Sequence, residues 1–321
     1  MRSSKALIAI AALLWAGAAS GKELVSADVY SVDHPTVRAT AYLGELIEER
    51  TAGRHKIASL GEGSTNSEAF AIAAVRNGTL DMARVNLASF SNLVPSAIVP
   101  ALPYLFTSTA HMRRVLDGPI GEELLAELDR QGVVGLCFYD TGTRSFYGSK
   151  PIRKASDLAG LKVRVPQSGP WVAIMQAMGV QPMPMPYERV SVGLRNGTIA
   201  LAENNWPSFV SSRHYEVAKY FSMTRHSMTP GVLIVSRQTW DGFSKEDQAI
   251  VRAAARESVD YIRKLWDENE LTASKVSKVL NVEIVSDVDQ ASFIDAVAPV
   301  RDRQIANPKA QDMIRRIAST P

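Results

Sequence analysis

Apolar positions along this chain fall into two alternating rhythms. Segments such as "TVRATAYLGELIEERTAG" and "SEAFAIAAVRNG" space them three and four residues apart, the pattern of a helix with one buried face, and each ends on a glycine able to stop it. Short runs follow, "HKIASL" and "TLDMARVN", and read as strands. The order continues through helices around "HMRRVL" and "GEELLAELDRQG" to the strand "VVGLCFYD". It then begins again: "LKVRVP" reads as a strand, "GPWVAIMQAMG" as a helix, "QPMPM" as a short extended piece, "YERVSVGLRNG" as a helix and "TIALAEN" as a strand. This alternation predicts an α/β lobe with a mostly parallel sheet, and a second lobe of the same grammar.

One device occurs in both halves. "RNGT" stands at residues 76–79 and again at 195–198, each time closing a helix with a glycine and feeding a strand, and an asparagine lies at each far end, Asn86 and Asn205. In open α/β sheets ligands bind beyond the carboxyl ends of strands, so the two asparagines are expected to face one another across a cleft. The alternative is that RNGT is only a good helix stop recurring by chance. The last third holds "SKEDQAIVRAAARESVDYIRKLWDENELTASKVSKVL", whose apolar positions keep helical spacing for about nine turns behind a possible Ser244 cap with Asp247 three residues on. A helix of that length is expected to lie across both lobes. "NVEIV" then reads as a strand and "ASFIDAVAPVRDRQ" as a helix.

The N-terminus follows another logic. Arg2 and Lys5 precede an apolar run from Ala6 to Ala19 and small residues follow, the layout of a secretory signal peptide; the run is shorter than the roughly 20 residues that span a bilayer. Residues 1–22 are therefore expected to be a cleaved leader and the mature protein to be periplasmic. Without Arg2 and Lys5 there are 34 basic residues against 33 acidic ones, a balance that supports no nucleic-acid or membrane-surface partner. Cys137 is the single cysteine, inside an apolar strand, so no internal disulfide exists.

The sequence contains no HExxH, GxSxG, GxxxxGK or complete GxGxxG, and its five histidines, at 34, 55, 111, 214 and 226, lack metal-ligand spacing. No metal, cofactor or catalytic residue is expected. What stands out is a set of polar residues at strand ends: Arg144, Arg164, Asn86 and the "ENN" of Glu203, Asn204 and Asn205. A planar guanidinium holds a carboxylate through two parallel hydrogen bonds, and amides serve hydroxyl groups as donor and acceptor, so the set suits a small hydroxylated acid. Glu68, Tyr30 and His34 complete the candidates.

"LAGLKVRVPQS", "PMPYERVSVGLRNGTI", "AEN", "SSRHYEVAKYFSMTRHS" and "FSKEDQAIVRAAARES" together resemble the solute-binding subunits of tripartite ATP-independent periplasmic (TRAP) transporters, of the dicarboxylate-binding protein type. The resemblance covers nearly the whole mature chain. It implies two α/β lobes joined at a hinge and bridged by a long helix, an organic acid closed between them, and membrane permease subunits as partners. The expected division is 23–141 plus 230–269 for lobe I and 142–229 plus 270–321 for lobe II. Carried over by position, Arg164 clamps the ligand carboxylate, Arg144 is a second positive group beside it, Asn204 contacts the ligand and Asn86 faces it. Members commonly carry Asp-Gly before the Glu-Asn segment, where this chain has Ala200 and Leu201. "AENNWPS" with "RHYEVAKY" resembles the branch that binds hexuronates, implying D-glucuronate or D-galacturonate, with an aldonate or a C4 dicarboxylate as the alternatives. Trp206 either lies against a sugar face or packs in the core. The competing reading is an exported sugar-acid enzyme with Glu203 or Glu68 as base.

Overall fold

The computed structural model describes residues 22–304 and 307–321, so the expected leader lies outside the described residues but for its last position. Eleven strands are found among them: β1 (Lys22–Ala27), β2 (His55–Leu60), β3 (Met82–Asn86), β4 (Val133–Tyr139), β5 (Thr143–Gly148), β6 (Lys162–Val165), β7 (Gln181–Pro184), β8 (Leu201–Asn204), β9 (Tyr220–Met228), β10 (Gly231–Ser236) and β11 (Glu283–Val285). They form two sheets, ordered β2-β1-β3-β10-β4 and β11-β9-β5-β8-β6-β7.

In the first sheet β1 runs parallel to β2 and β3, as the alternation predicts, but β10 lies antiparallel between β3 and β4. The reason is where the chain enters. It returns from β9 through Thr229 and Pro230, and Gly231 at the head of β10 pairs with Asn86 and Tyr139, the last residues of β3 and β4. The other crossing, Asp140–Gly142, leads from β4 straight into β5, which is antiparallel to both β8 and β9. The Thr141 hydroxyl donates to the Thr229 carbonyl, and the Leu87 N–H donates to the Pro230 carbonyl at 2.9 Å, tying both crossings to the end of β3.

The two RNGT copies are one structural device. Helices Glu68–Arg76 and Val190–Arg195 end at the arginine, and Gly78 and Gly197 follow with φ of 77° and 74°. Both Asn77 and Asn196 accept from the backbone N–H of the following threonine at 3.0 Å and from its hydroxyl at 2.7 Å. A left-handed residue after a helix is a glycine's role because a Cβ is unfavourable there.

Helix Lys245–Val279 runs for 35 residues, roughly 50 Å at 1.5 Å per residue. Ser244 caps it, accepting from the Asp247 N–H at 3.0 Å. Its first part packs on helix Pro35–Arg50 and β4, its later part on helix Trp206–Ser211 and β11, so it touches both sheets' surroundings. Helix Pro308–Ser319 departs from the expected lobe II span of 270–321. It returns to the first side, where Ala310, Met313 and Ile317 are buried, His111 Nε2 meets the Ile317 carbonyl at 3.0 Å and Arg316 pairs with Glu123 at 2.6 Å. No helix of the described residues is long and apolar enough to cross a membrane.

Candidate ligand-binding site

Strand ends from the two sheets converge on a cavity of about 70 Å³, or about 600 Å³ of empty space with its mouth. Asn86 ends β3, Arg144 is the second residue of β5, Arg164 lies one residue before the end of β6 and Asn204 ends β8; all four line it. Tyr30 and Glu68 complete the candidate residues in its wall, joined by Tyr187, Gln167, Ser67, Ser89 and Asn92. Two hydrogen bonds tie the sides together nearby, Ser91 to Ser168 at 3.0 Å and His34 to Ser208 at 3.1 Å.

The two arginines of the chamber are not equivalent. Arg144 is neutralised: Nη2 donates to Glu203 Oε1 at 2.9 Å and to the Glu203 carbonyl at 2.8 Å, Nε reaches Glu203 Oε2, and Nη1 donates to Asn204 Oδ1 at 2.9 Å. Burial pushes the Glu203 carboxyl up, but Arg144 and His226 outweigh it and hold the group at about 2. Arg164 has no such partner. Its Nε and Nη2 donate to the Met185 carbonyl at 3.0 and 2.9 Å, and among the described residues no carboxylate lies within 4.0 Å of it. Burial pulls its pKa down from the usual arginine value, with Glu203 pushing back from a distance. The Met185 carbonyl uses one edge of the guanidinium and leaves the Nη1–Nη2 edge for a carboxylate, a geometry with two parallel donors. The Tyr187 ring lies beneath, 5.5 Å from the guanidinium carbon.

A third arginine supports the floor. Arg84 is fully buried and bonds Asp28 through Nε at 2.8 Å and through Nη2, with Glu68 at 3.6 Å from Nη1. Glu68 in turn accepts from the Asn86 N–H at 2.9 Å and the Ser89 hydroxyl at 2.5 Å. Arg144 pairs with Glu203 and Arg84 with Asp28, while Glu68 stands 3.6 Å from Arg84, so three arginines meet three carboxylates, and Arg164 is the one of the three with no carboxylate within 4.0 Å among the described residues. Around Arg164 the chamber presents amides, hydroxyls and phenol rings.

Residues 26–307 match the family described as bacterial extracellular solute-binding protein, family 7. The chain belongs to this family. Its members are solute-binding receptors rather than enzymes. The chain is 44% identical to a TRAP periplasmic solute-binding protein from Xanthobacter autotrophicus Py2 solved with bound β-D-galacturonate, at a TM-score of 0.90 over 93% of this chain and 100% of that one. A TRAP solute-binding protein from Roseobacter denitrificans with bound β-D-glucuronate is 33% identical, at a TM-score of 0.89 over 94% and 100%. The 2,3-diketo-L-gulonate-binding periplasmic protein of Escherichia coli K12 is 31% identical over 87% of this chain and 86% of its own length.

Three candidate residues of this solute-binding protein stand behind the chamber wall rather than in it. Glu203 backs Arg144. Asn205, which the repeat aligned with Asn86, caps helix Trp206–Ser211 by accepting from the Ser208 N–H at 2.8 Å, and its neighbour Asn204 is the one that shares the cavity with Asn86. The difference is geometric: β8 ends at Asn204, and the next residue starts a helix. His34 caps helix Pro35–Arg50, and its ring stacks on Tyr30 at 4.0 Å. Trp206 packs edge-on against Phe221 at 5.1 Å, in the core. Ala200 and Leu201 suit their places, since Leu201 is buried and opens β8. Tyr187 was missed although it sits in the quoted "PMPYERV"; nothing in its spacing sets it apart from a core tyrosine. No group of His, Cys, Asp and Glu able to hold a metal ion occurs among the described residues.

Proposed function

We propose that this protein is the extracytoplasmic receptor of a TRAP-type transporter, exported by the leader at residues 1–22, and that it binds a hexuronate and hands it to membrane permease subunits. D-Galacturonate is placed before D-glucuronate because the more identical of the two solved relatives carries it. The observation that carries the reading is Arg164: a buried guanidinium with a free two-donor edge and no carboxylate partner among the described residues. It calls for one acid group. Asn86, Asn204, Tyr30 and Gln167 then meet sugar hydroxyls, which a C4 dicarboxylate does not offer. The lobes are proposed to divide at the crossings 140–142 and 229–230 and to close on the ligand there, with the last helix assigned to lobe I. An enzymatic role is disfavoured because Glu203, at about 2 and engaged by Arg144, is a poor base, and both oxygens of Glu68 already accept hydrogen bonds. Thermal-shift screening against uronates, aldonates and C4 dicarboxylates tests the reading, since a ligand of the folded state raises its melting temperature. A uronate should give the largest rise and be recovered chemically unchanged; a transformed sugar acid would overturn the receptor reading.

A further inference from the structure

A small cavity of about 10 Å³ adjoins the chamber, close to the least room that holds one water-sized group. It shares Asn86, Ser89, Arg144 and Pro166 with the chamber, whereas Arg164 and Tyr187 line only the chamber and Trp171 lines only this annex. The carboxylate anchor Arg164 is thus absent from the annex's lining. Two buried polar atoms on its lining residues have no hydrogen-bond partner among the described residues: Trp171 Nε1 and Asn86 Oδ1. Trp171 is 3% exposed and Asn86 8%. A buried polar group left without a partner is costly, so such pairs in a native protein mark a place that something polar fills.

The chemistry of the filler follows from the two atoms. An indole N–H only donates, and an amide oxygen only accepts. A carboxylate satisfies the first and repels the second; an ammonium does the reverse. A hydroxyl group accepts from one and donates to the other. We propose that the annex is a hydroxyl subsite, in which Trp171 Nε1 and Asn86 Oδ1 hold one hydroxyl oxygen at the end of the ligand opposite its carboxylate, supplied by the sugar acid itself or by a water that bridges to it. This rests on the receptor reading and deepens it: Arg164 selects an acid, and Trp171 with Asn86 selects a hydroxylated one. Trp171 is fixed for the task. Its helix, Gly169–Ala177, is capped by Ser168, which bonds Ser91 across the cleft, and its ring stacks toward His226 at 6.3 Å.

Trp171→Phe removes the N–H and keeps most of the ring, so calorimetry with D-galacturonate should record a loss of about tenfold in affinity. Should that variant not fold, Asn86→Leu gives the same readout at the other atom. Unchanged affinity in the folded variant would overturn the subsite. A crystal structure of the wild-type protein with D-galacturonate separates the two sources, since either a sugar oxygen or a water oxygen lies within hydrogen-bond distance of both atoms. If no oxygen is there, the proposal is wrong. If D-galacturonate does not bind at all, the uronate reading fails instead, and the subsite is then judged in the ligand-free crystal by whether a water oxygen joins Trp171 Nε1 and Asn86 Oδ1.

Discussion

Arg164 and Arg144 are both buried at strand ends, and what decides their roles is the company they keep. Arg144 already has Glu203, so its charge is spent inside the protein; among the described residues Arg164 has only a backbone carbonyl as hydrogen-bond partner. Arg164→Lys should therefore lower uronate affinity by ~30-fold or more, because one ammonium cannot reproduce two parallel donors and losing part of a buried charged pair costs ~2–5 kcal/mol. Calorimetry on the purified variant checks this, and near-native affinity would remove Arg164 from the clamp. Glu203→Gln should act differently. It leaves Arg144 buried and unneutralised, so urea unfolding should show a loss of about 3 kcal/mol, and succinate should gain on D-galacturonate because the chamber then holds a second free cation. An unchanged stability together with an unchanged preference would contradict the assignment of Glu203 as that counter-charge. The sequence made Arg144, Arg164, Asn86 and Asn204 legible because strand-end position and residue type coincide there. It could not separate Asn204 from Asn205, whose difference lies in where β8 stops, nor reveal that the Glu203 carboxylate pairs with Arg144.

At the level of elements, the repeated RNGT turn makes a quantitative prediction. Gly78→Ala and Gly197→Ala both place a side chain at positive φ, costing about 1–2 kcal/mol each. The added Cβ at Gly78 would meet first the far end of the Gln238 side chain, which can swing aside, and at Gly197 no atom of the described residues lies within 4 Å. Denaturant titrations should give losses within about 0.5 kcal/mol of each other, the scatter expected of independent sites; a loss confined to one copy would mean that the two turns are not the same device. Most helices and the strands β2, β3, β4, β6, β7, β8 and β11 were readable from apolar spacing and glycine stops, but helices Trp206–Ser211 and Pro308–Ser319 were not. β5, β9 and β10 were not. β9 buries Ser222, Thr224, His226 and Ser227 among its apolar positions, which blurs the period-two signal, and β10 is buried throughout and takes its direction from the crossing at Thr229–Pro230. Strand direction is a property of the path between lobes, which local spacing does not carry.

The whole molecule joins these parts into two sheets linked by two short crossings and one long helix, with histidines buried on the way. Burial depresses His34, His214 and His226 below the usual imidazole value, Arg84 adding to this at His34 and Arg164 at His214, which lies at about 3 against 6.5. These rings stay neutral in the fold while the unfolded chain takes up protons below about 6.5, so stability is full above that pH and falls as pH drops toward 3. Glu203 adds loss in the same direction between 4.5 and about 2. Urea midpoints should thus be lower at pH 5 than at pH 7, and a higher midpoint at pH 5 would contradict the burial of neutral imidazoles. Because the chamber is lined from both sheets, saturation with ligand should also shrink the radius of gyration seen by small-angle scattering from an open ligand-free form; an unchanged radius would rule out closure at the crossings. The central claim, one carboxylate on Arg164 with hydroxyls around it, is tested most directly by titrating the wild-type protein with D-galacturonate, D-glucuronate, succinate and malate in the calorimeter. A uronate should bind at one site with micromolar or tighter affinity, about −8 kcal/mol, and the dicarboxylates far more weakly. Micromolar binding of succinate or malate with no binding of either uronate would contradict it.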